Sequence, residues 1–214
     1  MLKQESKQSM MAFVASAMEQ LEDFAQVIDA DTYDAAAKVI QEARAQGARL
    51  HITGIGKPSH VAEFMAALFS STGTPCYFLH GTEAVHGSAG QLVAGDVVIA
   101  ISNSGETVEL KATVNAVRNN GCKIIGVTGN TQSWLARHSD VCLYAGVGEE
   151  GGPLNRAPRN SILAEMLTLQ ALSVLLQSEC NWDPESYVRC HPGGKLGELR
   201  ESELSAGARA TPAQ

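Results

Sequence analysis

The run Val97-Val98-Ile99-Ala100-Ile101 is apolar at every position. A strand with one wet face alternates in character, whereas an unbroken run is covered on both faces, as in a parallel sheet with helices above and below. The run stops at Ser102-Asn103-Ser104-Gly105-Glu106-Thr107, small hydroxyl residues and a glycine that lead into a helical pattern expected over about 106–119. The first backbone N–H groups of a helix have no partner within it, and the helix dipole adds partial positive charge there. The expected occupant of such a strand-to-helix turn is a phosphate.

The remaining chain alternates in the same way. Helical spacing begins at Met10 and carries Met11, Val14, Met18, Leu21, Ala25 and Ile28. A second helix is expected with Asp31 as its N-cap and Tyr33, Ala37, Ile40 and Ala43 on one face. Strands are expected at 49–53, 75–79, 96–101, 123–128 and 141–144. Val61, Met65 and Leu68 form the inner stripe of the helix after the first strand, and a short helix lies around Trp134 and Leu135. Pro158 suits the first turn of a long helix reaching about Gln177, apolar nearly all round and therefore buried or at a subunit interface. A short helix after Asp183 precedes His191-Pro192-Gly193-Gly194.

This order predicts an α/β fold: a three-layer α-β-α sandwich around a five-stranded parallel sheet, preceded by two helices. In such sheets ligands sit beyond the C-terminal ends of the strands, where the loops 54–60, 80–90, 102–107 and 146–157 should meet. One domain is expected over 10–200, with 1–9 and 201–214 as flexible termini.

A net charge of −7 over 214 residues argues against a general nucleic-acid surface. No run approaches the ~20 apolar residues of a membrane span, and the first residues lack the pattern of a signal peptide, so no membrane partner and a cytoplasmic location are expected. The five cysteines form no C-x-x-C pair and read as reduced thiols. The histidine spacings fit no zinc motif, and no metal is expected.

Gly54-Ile55-Gly56-Lys57 lacks both the Walker spacing and the third glycine of a dinucleotide fingerprint. Alone it reads as a solvated lysine on a tight turn; beside the 102–107 turn it reads as a cation over an anionic ligand. Ser102, Ser104 and Thr107 exceed what one helix cap requires, although capping is their commonest use. Glu106 and Glu109 are expected on one helix face, Glu106 suiting the helix start. Glu150 stands in a glycine-rich loop, and His86 and His191 stand in loops beside glycine or proline. Each of these three has a plain reading as a surface residue.

Together these segments closely resemble the SIS (sugar isomerase) domain, and the arabinose 5-phosphate isomerase family within it. The resemblance spans about 10–200 and rests on Gly54-Ile-Gly-Lys57, Ser71-Thr-Gly-Thr-Pro75, Glu83-Ala-Val-His86-Gly87, Ser102-Asn-Ser-Gly-Glu-Thr107, Glu109, Glu150 with Pro153-Leu154, Ala157-Pro158, and His191-Pro-Gly-Gly194 with Leu196-Gly197. It implies interconversion of an aldose and a ketose phosphate, ribulose 5-phosphate and arabinose 5-phosphate being typical, with no redox cofactor and in a homotetramer. It implies a catalytic set of Lys57, His86, Glu109, Glu150 and His191, drawn from more than one subunit. Gly56, Ser102, Asn103, Ser104 and Thr107 are the implied phosphate-binding residues. A non-catalytic sugar-phosphate-binding module is the alternative that the same domain allows.

The chain departs from the family pattern at Pro58-Ser59, at Ser88-Ala89, at Asn155-Arg156 and at Arg159, which bears on the substrate more than on the fold. Many full-length members of the resembling family also carry a C-terminal pair of CBS modules, for which no counterpart is expected here.

Overall fold

A computed structural model describes residues 3–180 and 182–207. In chain order the elements are α1 (Gln4–Gln26), α2 (Ala30–Ala45), β1 (Leu50–Gly54), α3 (Lys57–Ser71), β2 (Cys76–Phe78), α4 (Gly81–Ala84), β3 (Val97–Ile101) and α5 (Val108–Asn119). They continue with β4 (Lys123–Thr128), α6 (Trp134–Arg137), β5 (Val141–Tyr144), α7 (Asn160–Glu179), α8 (Pro184–Cys190) and α9 (Glu201–Gly207). The five strands form one parallel sheet in the order β2-β1-β3-β4-β5.

Every residue of β1 and β3 is buried, as the unbroken apolar run requires. Ile52, Ile99 and Ile125 lie on one rung and are solvent-inaccessible. They face an apolar cluster shared with Tyr33, Ile40, Met65, Phe69 and Leu172 from α2, α3 and α7. Val98, Ala100 and Ile124 face the other way, onto Leu110, Val114 and Leu135 from α5 and α6. Burial of each large side chain contributes about 1.5–3 kcal/mol, so the sheet is the energetic centre of the fold. On the first face α3 covers β1 and β2, α2 covers β5, and α7 lies between them.

The edge where the strands begin is clamped by one carboxylate. Asp96 is inaccessible to solvent and accepts from the backbone N–H of Arg49 at 2.8 Å and of Val93 at 3.0 Å. The Arg49 guanidinium lies 3.0 Å away and His51 Nε2 3.2 Å away. Burial alone would raise its pKa, but the Val93 and Arg49 donors outweigh it and hold the group ionised below the usual range.

Several boundaries differ from the sequence reading. α1 begins at Gln4, so 4–9 are helical rather than a flexible terminus. The N-cap of α2 is Asp29, whose carboxylate accepts from the Asp31 N–H, not Asp31 itself. α5 begins at Val108, which leaves Glu106 in the turn and off the helix face of Glu109. α7 begins at Asn160, two residues beyond Pro158. Residues 201–207 form α9, while 208–214 lie outside the described residues. By length and hydropathy α7 matches a membrane span, contrary to the sequence reading; here it packs on α1, α2 and α3 with Ala164, Leu169, Leu172 and Leu176 in the core. The five cysteines are free thiols, and burial pushes Cys76 up to about 12.

Candidate active site

The chain leaves β1 toward β2 on one side and reaches β3 on the other, so the topological switch lies between β1 and β3. Gly54, the last residue of β1, is opposite Ile101, the last residue of β3. The segments 55–57 and 102–107 therefore leave the sheet side by side, at the crevice where α/β sheets hold ligands. Gly54 has to be glycine: a Cβ there would stand 2.7 Å from the Pro58 carbonyl carbon in the first turn of α3. Lys57 opens that helix, with Gly56 as its N-cap.

The 102–107 turn is held from within. The buried Ser102 hydroxyl bonds Thr107 Oγ1 at 3.1 Å and accepts from the Gly105 N–H at 3.1 Å. Ser104 stays exposed, its hydroxyl accepting from the Glu106 N–H at 3.2 Å. Asn103 ties the turn to β4, its carbonyl accepting from the Gly129 N–H at 2.9 Å and from Thr128 Oγ1 at 3.1 Å. Gly105 takes φ +65°, and a Cβ there would collide with the Ser133 side chain. Thr107 is the N-cap of α5 and makes no side-chain cap bond. Among the described residues, the backbone N–H groups of Ser104, Thr107, Val108 and Glu109 have no protein acceptor. These are the donors an anion needs.

The charges around this turn are unequally committed. Glu106 accepts from Lys111 Nζ at 2.5 Å and from the Trp134 N–H at 2.7 Å, which hold its carboxyl below the usual range. Its charge fastens the turn to α6. Lys57 is exposed, and none of the ion pairs among the described residues includes it. A free ammonium thus adds to the positive end of α3 beside the positive end of α5. Glu109 is exposed in the first turn of α5. Gly81, which opens α4, packs against Ile55, and exposed His86 follows that helix, its N–H bonded to the Glu83 carbonyl.

Glu150 reaches the same edge from β5. Gly146, at the start of its loop, lies against Gly129 beside Asn103. The loop then follows α1, with Gln20 accepting from the Gly148 N–H at 2.6 Å and Ser16 donating to Glu149 at 2.5 Å. Glu150 Oε2 accepts from the N–H groups of Arg159 at 2.7 Å and Ser161 at 3.1 Å, capping the N-terminus of α7. Its Oε1 has no protein partner among the described residues. α3 and α7 run the same way on one face, joined at their far ends by Thr72 and Ser173 at 3.1 Å. The Glu150 carboxylate therefore caps the helix beside the one that Lys57 opens. Arg156 and Arg159 are exposed on this loop, the Arg159 guanidinium 5.9 Å from the Phe13 ring centre.

His191 is not brought to this edge within one chain. The 20 residues of α7, roughly 30 Å of helix, carry the chain away from Glu150. Beyond α7, Cys180 and Trp182 pack against Gly73, just before β2 and at the edge where strands begin. α8 packs mainly on the turn at Lys195–Gly197. His191 Nδ1 lies 2.8 Å from the Tyr187 carbonyl, and its ring stacks on Tyr187 at 4.1 Å.

Three contributors escape a reading by residue type. Asn155, at φ +44°, accepts from the N–H groups of Glu150 and Gly151 at 2.8 Å each and shapes the loop. Ser133 is the wall behind Gly105 and also the N-cap of α6. Glu165 is buried in α7. An asparagine after Gly-Gly-Pro-Leu and a serine before a short helix are visible signals; the burial of Glu165 is not, because periodicity fails in a helix apolar all round. Among the described residues no cluster of three His, Cys, Asp or Glu is arranged for a metal ion.

A family profile described as the SIS domain matches residues 44–175. The chain is 39% identical over 180 residues to arabinose 5-phosphate isomerase KdsD of Francisella tularensis, covering 84% of this chain and 55% of that protein. It is 40% identical over 149 residues to arabinose 5-phosphate isomerase KdsD of Pseudomonas aeruginosa, covering 70% of this chain and 46% of that protein. The chain thus spans about half the length of the curated relatives it matches. An E. coli CFT073 protein solved in complex with arabinose 5-phosphate superposes with a TM-score of 0.82 and 31% identity, over 90% of this chain and all of that one.

Proposed function

This chain belongs to the SIS-domain family, and on that premise we propose that it isomerises a sugar phosphate between its aldose and ketose forms, arabinose 5-phosphate and ribulose 5-phosphate being the first pair to test. The observation that carries the reading is the meeting, at the switch point, of unsatisfied α5 amides with the unpaired ammonium of Lys57. The names of its relatives and the sugar-phosphate complex of its structural neighbour support the same chemistry.

The phosphate binds the free N–H groups of 104 and 107–109, with the Ser104 hydroxyl as a further donor and Gly56, Ser102, Asn103 and Thr107 keeping the cradle in shape. The sugar then extends toward Lys57. Isomerisation moves a carbon-bound proton between C1 and C2 and a hydroxyl proton between their oxygens. A base takes the first proton and returns it to the neighbouring carbon, while a cation steadies the enediolate. Lys57 supplies the cation. Glu150 is the better-placed base of the two glutamates, because Oε2 is anchored on two amides and Oε1 is open. Glu109, beside the phosphate, is the second candidate. His86 and His191 open the sugar ring or carry the hydroxyl proton, a task suited to imidazole near neutral pH. Oxidation at one carbon is balanced by reduction at its neighbour within the same sugar, so the reaction calls for no redox cofactor, while the proton held by the base exchanges with solvent.

His191 acts in a neighbouring subunit, in a cytoplasmic homotetramer. The distance from Glu150 to the α8 end of its own chain supports that reading, as does the exposure of Lys57, Ser104 and Glu109. The test is incubation with arabinose 5-phosphate, ribulose 5-phosphate and a panel of other sugar phosphates in deuterated water. Product formation with deuterium incorporation is expected; binding without turnover assigns the non-catalytic role instead.

A further inference from the structure

Glu165 stands one helical turn after Ser161, the residue whose N–H holds Glu150 Oε2. Residues four apart share a helix face, and helical side chains lean toward the N-terminus, so the Glu165 carboxyl is aimed at the head of α7 where Glu150 is bound. Glu165 is solvent-inaccessible, and neither carboxyl oxygen has a hydrogen-bond partner. Ser161 Oγ beside it is also buried and unpartnered. Among the described residues no cation pairs with the group. α3 meets α7 through apolar residues such as Met65 and Phe69, and α2 contributes the Tyr33 phenol next to Thr168. α1 brings Phe13, Ser16 and Gln20 to the adjoining loop, none of which titrates. Among the described residues, Glu150 is the charged group whose field reaches Glu165 and adds to the effect of burial.

We propose that Glu165 is a positioning residue for Glu150, a buried carboxylic acid that keeps its proton so that no second charge stands behind the Glu150 anion seated on the N–H groups that open α7, the neighbouring Glu149 being held aside by Ser16. The inference rests on the isomerase reading, in which Glu150 moves the substrate proton. Two carboxyls in unlike surroundings divide the roles: Glu150 lies on helix N–H groups that favour its charge, and Glu165 lies where nothing compensates one. Burial, with Glu150 adding to it, pushes Glu165 up to about 8. Below that pH the pair carries one negative charge. Above it a second charge appears beside the base, raising the base's proton affinity and opposing the anionic enediolate. Turnover then falls on the alkaline side.

The test is the pH–rate profile of the intact protein and of Glu165→Gln, each normalised to its own plateau at pH 7. Glu165→Leu serves as a second variant should the amide destabilise the core. The wild type is expected to lose activity with a midpoint near pH 8, and both variants to shift that limb by at least one pH unit. An alkaline limb that stays in place in folded, active variants overturns the inference and leaves the isomerase reading standing. Failure of the wild type to turn over any sugar phosphate sinks both.

Discussion

Gly54 and Ile101 face each other on the last rung of the β1–β3 pair. The loop opening α3 and the turn opening α5 therefore share a starting line, and Lys57 and Ser104 stand over the same crevice. Replacing Ser104 by Ala removes an exposed hydroxyl and the acceptor of the Glu106 N–H. A hydrogen bond to a charged group is worth about 1.5–3 kcal/mol, so KM for a sugar phosphate should rise roughly 10-fold or more. Kinetics with the phosphate-free sugar should change little; equal losses for both contradict a phosphate-binding turn.

Glu150→Gln should separate chemistry from folding. The amide oxygen still accepts from Arg159 and Ser161, so thermal unfolding should move by only a few degrees. The base is gone, and turnover should fall about 10²–10⁴-fold. Rates within threefold of wild type would pass the task to Glu109.

Gly105→Ala places a Cβ at φ +65° and against Ser133. Strain of this kind costs about 1–3 kcal/mol. Denaturant unfolding should register that loss, and sugar-phosphate affinity should weaken with it as the turn is pushed open. An alanine variant as stable as wild type would show that the turn has room to relax.

Two buried carboxyls set opposite pH trends in stability. Asp96 has a lowered pKa in the folded state, so its contribution is present above the ordinary Asp range and disappears as pH falls. Glu165 is raised from 4.5 to about 8, so the folded state is weakened progressively as pH rises across that interval. At roughly 1.4 kcal/mol per unit, Glu165→Leu should gain several kcal/mol over wild type at pH 8 relative to pH 4. Asp96→Asn should lose stability at pH 7, and the difference from wild type should shrink only as pH falls below the ordinary Asp range. Parallel melting curves across pH would refute both assignments.

Subunit mixing tests where His191 acts. Lys57→Ala and His191→Ala should each be nearly inactive alone. Unfolded together and refolded as mixed oligomers, they should recover activity if the two groups meet across an interface. A mixture as inactive as its components places them in one chain.

The sheet was legible because both-face burial leaves unbroken runs such as Val97–Ile101, and because turns rich in Ser and Gly mark the strand ends. That the Lys57 and Ser102–Thr107 loops share an edge is expected from the parallel sheet, whereas the adjacency of β1 and β3 that sets them side by side is visible only in the structure. Boundaries fared worse where two residues compete for one role: Asp29 and Asp31 both suit a cap, and the backbone favours the earlier. Glu106 looked like a helical acid and is a cross-link to α6, a contact 28 positions away that spacing cannot reveal. Residue type marked Glu150 as available for chemistry but not its seat on the head of α7. For His191 the signal is the long helix expected after Pro158, whose roughly 30 Å carry the chain away from Glu150.

The clamp at Asp96 grips the sheet from the end opposite the crevice. Pro58, Arg156 and Arg159 all lie on the crevice side. A scaffold fastened at one margin tolerates experiment at the other: the loops that meet a ligand can be rewritten over generations without loosening the knot that keeps the strands in register.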